Sequence, residues 1–221
     1  MLAKFSSNIN FRSVPRRIPF TLVMLAVFVA VGYSTGTHLR PLAQDLLEFF
    51  GFAPRHLWSL QWGSLITSAL VTDGARSFWG GLFVMAFAVG LVEWREGHLW
   101  AAIGFWGVHF LTLLILSFLF VLPFHLLGYS LGSKLAFALD VGPSAGYFGC
   151  LGVATAGTSK STRLWIGLIT CGLLVALLFM NLEAKYSIPS RIHADLAHAI
   201  AYPLGFGLHS LQHGKTPKRS G

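Results

Sequence analysis

Ser144 and His198 are the residues whose types and placement are best suited to chemistry. Each opens a short apolar segment. The first reads Gly142-Pro143-Ser144-Ala145-Gly146-Tyr147-Phe148-Gly149-Cys150-Leu151-Gly152, and the second reads Asp195-Leu196-Ala197-His198-Ala199-Ile200-Ala201-Tyr202-Pro203-Leu204-Gly205. A hydroxyl and an imidazole are costly to hold at membrane depth without a use, so polar groups there mark a candidate site. A serine hydroxyl is a weak nucleophile until an adjacent base takes its proton, and imidazole is suited to that task. Gly142 can serve as a helix N-cap, and Pro143 suits the first helical position. The N–H groups of Ser144 and Ala145 then have no intrahelical partner. Donors of this kind favour a developing negative charge, which makes half of an oxyanion hole beside the hydroxyl. Ser144, Phe148 and Gly152 share one helical face, so Phe148 can stack on the imidazole and hold its orientation. His198, Ala201 and Gly205 share a face of the second segment, and the small residues let the two helices pack closely. Taken singly, Ser144 also reads as a residue that starts a packing helix. His198 alone also reads as a histidine bonded to a backbone carbonyl. It is the matched depth of the two that favours a site.

The elements that must hold this pair are apolar throughout. The chain has 221 residues, is 54% hydrophobic and is only 11% charged. Its mean hydropathy is +0.65. Soluble domains carry about 25% charged residues, so this composition implies an all-α integral membrane protein with one membrane domain. Six apolar segments stand out: Ile18–Thr35, Ser77–Val92, Leu99–Pro123, Pro143–Thr158, Leu164–Asn181 and Ala194–Leu211. The second can begin earlier, because Leu65–Thr72 is also apolar. The expected layout is a basic tail over 1–17, a six-helix membrane domain over 18–211 and a basic tail over 212–221. The first loop, Gly36 to Gly63, is amphipathic, and Trp58 and Trp62 suit a membrane interface.

Basic residues set the orientation. With the N-terminus inside, Lys4, Arg12, Arg16, Arg17, Arg95, Lys160, Arg163, Lys215, Lys218 and Arg219 fall inside. Arg40, Arg55, Arg76, Lys134, Lys185 and Arg191 fall outside. The positive-inside rule therefore places both termini in the cytoplasm, and a bacterial-type inner membrane is the expected setting. Segments four and six then run outside to inside, so Ser144 and His198 both lie near outer ends. The pI near 9.9 reflects this charge map and anionic lipid, not nucleic acid.

Other polar residues carry less. Asp195 either N-caps the last segment or orients His198 from one turn away. Glu93 and Arg95 suit a structural network at the inner end. His109 in mid-segment three suits a bond to a neighbouring helix. His209 and His213 are four apart, as zinc ligands can be, but they lie at the basic end and read as interfacial, so no metal is expected. No phosphate loop, dinucleotide fingerprint or Cys-x-x-Cys motif occurs, and no cofactor is expected. Cys150 and Cys171 both fall in apolar segments and read as buried thiols, not as a disulfide.

The chain resembles the rhomboid family of intramembrane serine proteases, from about Trp62 to Leu208. Gly142-Pro143-Ser144 with Gly152 is similar to the family's serine motif, and Ala197-His198 with Gly205 is similar to its histidine helix. Glu93-Trp94-Arg95-Glu96-Gly97 looks like the family's Glu-x-Arg-x-Gly, and Thr67-Ser68-Ala69-Leu70-Val71 looks like the segment leading into helix two. The resemblance implies a six-transmembrane-helix rhomboid-like bundle. It also implies a Ser144–His198 dyad that cleaves membrane-anchored proteins near the outer face. Gly142, Ala145, Ser77 and Phe148 would assist as oxyanion or positioning residues. The sequence departs from the family pattern at Ala145, Phe148 and Ala201, and more seriously in helix two, where Ser77 and Gly81 replace the usual His and Asn. Those departures open an alternative: an inactive or weak rhomboid-fold protein that binds transmembrane helices as clients.

The orientation is testable without any catalysis. In a background lacking Cys150 and Cys171, single cysteines at Ser6 and Ser220 are expected to react only from the cytoplasmic side, and one at Ser187 only from outside. Reaction of the two termini from opposite sides would refute the six-span layout.

Overall fold

The computed structural model of the chain describes residues 14–183 and 188–213. Most of the basic tails, with Lys4, Arg12, Lys215, Lys218 and Arg219, and also Lys185, lie outside the described residues. Six long helices organise the chain. They are α1 (Pro19–Thr35), α2 (Ala75–Glu96), α3 (His98–Leu126), α4 (Ser144–Ala156), α5 (Lys160–Glu183) and α6 (Pro189–His213). Short helical turns at Gln44–Phe50, Arg55–Trp58 and Ser64–Thr67 fill the first loop, and Ser130–Phe137 precedes α4. No strand occurs among the described residues; a single bridge joins Phe52 to Asp140.

Each apolar segment is a helix, and the differences lie at the ends. Leu65–Thr72 does not extend α2. Its residues form separate turns, and Gly74 in an extended conformation precedes the helix start at Ala75. The last helix begins at Pro189, five residues before the apolar run, because proline suits a first helical position and His193, in the polar stretch that follows, is bonded to Asp140. Apolarity marks the part of a helix that faces lipid or core, not where its hydrogen bonds stop.

Helices α2, α3 and α5, with 22, 29 and 24 residues, are long and apolar enough to cross a membrane. At 1.5 Å per residue each exceeds the roughly 30 Å of a bilayer's hydrocarbon. They mark the chain as a membrane protein. Helix α5 makes the point most plainly. Only Leu174 of its residues is buried, while Trp165, Ile169, Leu173, Phe179 and Met180 are exposed, and so is Cys171, which faces outward and not into the core as expected. An apolar face of that extent suits hydrocarbon, not water. Helix α1 is apolar but has only 17 residues.

Helix α4 is different. It has 13 residues and nine of them are buried. Its glycines let neighbouring backbones come close. A methyl at Gly146 would stand 2.7 Å from the Phe105 ring of α3, and one at Gly149 would stand 2.7 Å from the Gly104 carbonyl oxygen. A methyl at Gly152 would collide with the Tyr202 carbonyl of α6, and one at Gly205 of α6 would collide with the Gly149 carbonyl. The close packing expected from the small residues of these two segments is therefore present.

Charged residues finish the helix ends. Glu93 is 1% exposed. Its carboxylate accepts bonds from the N–H groups of Phe20 and Thr21 at 2.8 and 2.7 Å, and from the Thr21 hydroxyl at 2.6 Å. Helix α1 begins on Pro19 with no side-chain cap of its own, so Glu93 serves as its cap from α2. Arg95 reaches the Ala154 carbonyl at 3.5 Å and Arg163 reaches that of Ala156 at 3.4 Å, both at the C-terminal end of α4. Glu93 and Arg95 thus act on different helices and not on each other.

Two glycines on α6 test the packing. Gly205→Ala is expected to destabilise by about 1–3 kcal/mol through overpacking. Gly207 has nothing within 4 Å of an added methyl. Gly207→Ala should therefore be neutral or stabilising by about 0.4–1 kcal/mol. Thermal unfolding in detergent reads both. Equal midpoints for the two variants would contradict the close approach.

Candidate functional site

The site begins in the loop before α4. Asp140 and Phe52 exchange backbone hydrogen bonds, both 2.9 Å, and the Gly142 N–H donates to the Ser68 carbonyl at 2.8 Å. Gly142 has φ +145°, which disfavours any side chain. Pro143 then stands at the N-cap and Ser144 is the first helical residue. This is one residue later than the sequence suggests, where Gly142 was the expected cap. The first helical bond runs from the Tyr147 N–H to the Pro143 carbonyl at 3.1 Å. The N–H groups of Ser144, Ala145 and Gly146 come before it, so three donors cluster at the serine.

His198 lies on α6 opposite Phe148. The two rings stack with centroids 4.3 Å apart and planes at 25°. Phe148 is one turn below Ser144 on the same face. The stack fixes the imidazole plane, and its Nε2 is buried without a hydrogen-bond partner. Among the described residues no hydrogen bond joins Ser144 to His198. Catalytic hydrogen bonds are often long in unliganded enzymes and tighten with substrate.

The remaining expected residues divide. Gly142 and Ala145 line a cavity with Ser144. Ser77 is exposed on the first turn of α2 and does not line that cavity. Gly81 is buried, and a Cβ there would lie 3.4 Å from Phe28 and 4.0 Å from Pro143. Position 81, not 77, therefore faces the serine loop. Asp195 neither caps α6 nor meets His198. It sits in the second turn of the helix and accepts a 2.6 Å bond from Asn181 of α5.

Sequence reasoning missed a second polar set. The cavity beside Ser144, of about 10 Å³, is also lined by Ser68, His109, Asp140 and His193. A space of that size holds about one water-sized group. His193 is fully buried and its Nδ1 lies 3.1 Å from Asp140 Oδ2. Its Nε2 has no partner. His109 Nε2 donates to the Leu65 carbonyl at 2.9 Å, which leaves Nδ1 buried and unpaired. The expected bond from His109 to a neighbouring element is this one. A signal existed for the rest. Asp140 is four residues before Ser144 and His193 is five before His198, so an acid and an imidazole precede the two site residues at nearly equal spacing.

The Asp140–His193 contact should hold the serine loop against α6. Asp140→Ala leaves a buried imidazole N–H unpaired, which costs about 1–3 kcal/mol. Unfolding in detergent should show that loss, whereas an unchanged midpoint would mean the contact adds nothing. No protein-family model matches the chain, and no curated protein matches it.

Proposed function

We propose that the chain is a rhomboid-like intramembrane serine endopeptidase, with its six helices arranged as a rhomboid-like membrane bundle. The observation that carries this reading is the Phe148–His198 stack one turn below Ser144, at a helix N-terminus with three available N–H donors. His198 takes the Ser144 proton, and Ser144 Oγ attacks a peptide carbonyl. The oxyanion is held by N–H groups at the start of α4. His198 then returns the proton to the leaving amine, and water releases the acyl group. The substrate is a membrane-anchored protein with an unwound segment that reaches Ser144.

The length of α4 suits this task. Thirteen residues span about 20 Å, against roughly 30 Å of hydrocarbon. With its Arg95- and Arg163-bound end at the inner boundary, Ser144 would lie about 10 Å below the outer one. A polar cut site at that depth needs a protein-lined cavity, and Ser68, Asp140, His109 and His193 supply the polar lining.

A second reading is a rhomboid-fold protein that binds transmembrane helices without cutting them. It is favoured by Gly81, which offers no oxyanion donor, and by the lack of a bond between Ser144 and His198 among the described residues.

Turnover of a helical reporter substrate in proteoliposomes separates the readings. Ser144→Ala and His198→Ala should each abolish cleavage. His193→Ala should lower stability while retaining part of the turnover, since it acts on the loop and not on the hydroxyl. Gly81→Asn should raise turnover, with an upper bound of about 2.7–4 kcal/mol, the cost of deleting such a donor elsewhere. Crowding by Phe28 reduces that gain. Saturable reporter binding with no cleavage by wild type or Gly81→Asn would establish the second reading.

A further inference from the structure

We propose that Glu96, His209 and His213 form a binding site for a divalent transition metal, with zinc the fitting ion, joining the end of α2 to the end of α6. Nothing in this proposal depends on the protease reading. The sequence alone shows only two histidines four apart. The fold adds the third donor, because Gly97 ends α2 where the last turn of α6 passes.

One ligand atom from each of the three residues lies within 4.8 Å of the other two. His213 Nε2 is 3.5 Å from Glu96 Oε2. The His209 and His213 rings are stacked, with centroids 4.2 Å apart and planes at 24°, so both imidazoles lie on one side of the helix. Zinc binds imidazole nitrogen at about 2.0–2.1 Å and carboxylate oxygen at about 2.0–2.2 Å, which sets tetrahedral ligand atoms about 3.3 Å apart. Small side-chain rotations close the remaining difference.

Gln212 supplies an independent observation. Its Nε2 donates to Glu96 Oε2 at 2.9 Å, while its Oε1 is buried without a partner. A residue that orients a ligating carboxylate through a hydrogen bond is the usual outer support of a metal site. Two imidazoles and one carboxylate favour zinc, nickel or copper, whereas calcium and magnesium require oxygen ligands. Among the described residues Arg163 is a nearby opposing charge, and it donates to the Ala156 carbonyl.

The site lies far from Ser144. His209 is eleven residues past His198, about 17 Å along the helix axis. The ion would therefore act as a structural tie that sets α6 against α2, the two helices carrying His198 and Gly81.

The test uses the full chain, made without a polyhistidine tag, purified in detergent and stripped with a chelator. Zinc is titrated against a chromophoric competitor, and cobalt absorption reports the coordination geometry. One zinc per chain is expected, with tetrahedral-type cobalt bands and a raised unfolding midpoint. His209→Ala and Glu96→Gln should each remove saturable binding. Gln212→Leu, which keeps all three ligands, should weaken affinity by about 10- to 100-fold. Zinc binding that is equal in wild type and in Glu96→Gln, or no stoichiometric binding by wild type, overturns the proposal.

Discussion

The backbones of α4 and α6 touch, and the site depends on that contact. At Gly152 and Gly205 there is no room for even a methyl group between the helices. Lipid tails are as apolar as leucine, so helices in a membrane gain little from hydrophobicity against each other. Close van der Waals contact over small residues supplies the attraction instead. Once that contact forms, the helical repeat places Phe148 against His198 and Ser144 one turn above. A bulkier residue at either glycine would separate the helices and move the imidazole away from the serine.

The same geometry explains where the charges went. Helix α4 is short and enclosed, so its termini fall within the protein. Its N-terminal donors remain available at Ser144. Its C-terminal carbonyls are taken by Arg95 and Arg163. Glu93, buried at the end of α2, performs the corresponding duty for the start of α1. The charged residues nearest the core thus satisfy backbone groups that hydrocarbon would leave unpaired. The serine end is the exception, and unpaired donors beside a hydroxyl are what an oxyanion requires.

Much of this was legible in the sequence, and for definite reasons. Apolar runs located all six helices, because hydrocarbon-facing and core-facing surfaces are both apolar. Helical spacing placed Phe148 over His198, since i and i+4 share a face. What failed was what spacing cannot reach. Asp195 precedes His198 by nearly one turn, yet its partner is Asn181 on another helix. The Asp140–His193 contact spans 53 residues and no periodicity reveals it. Glu96 joins His209 and His213 only because two helices end at the same level. Ser77 and Gly81 share a face by helical spacing, but the exposure of Ser77 depends on where the first turn of α2 emerges. Polar partners across helices cannot be read from spacing along the chain and require the packed structure.

The most direct test of the account is labelling with a serine-directed fluorophosphonate, followed by peptide mapping of the adduct. The account predicts one adduct, on Ser144, greatly reduced by His198→Ala because the hydroxyl then lacks its base. An adduct on another residue, or labelling of Ser144 that is indifferent to His198→Ala, would contradict it.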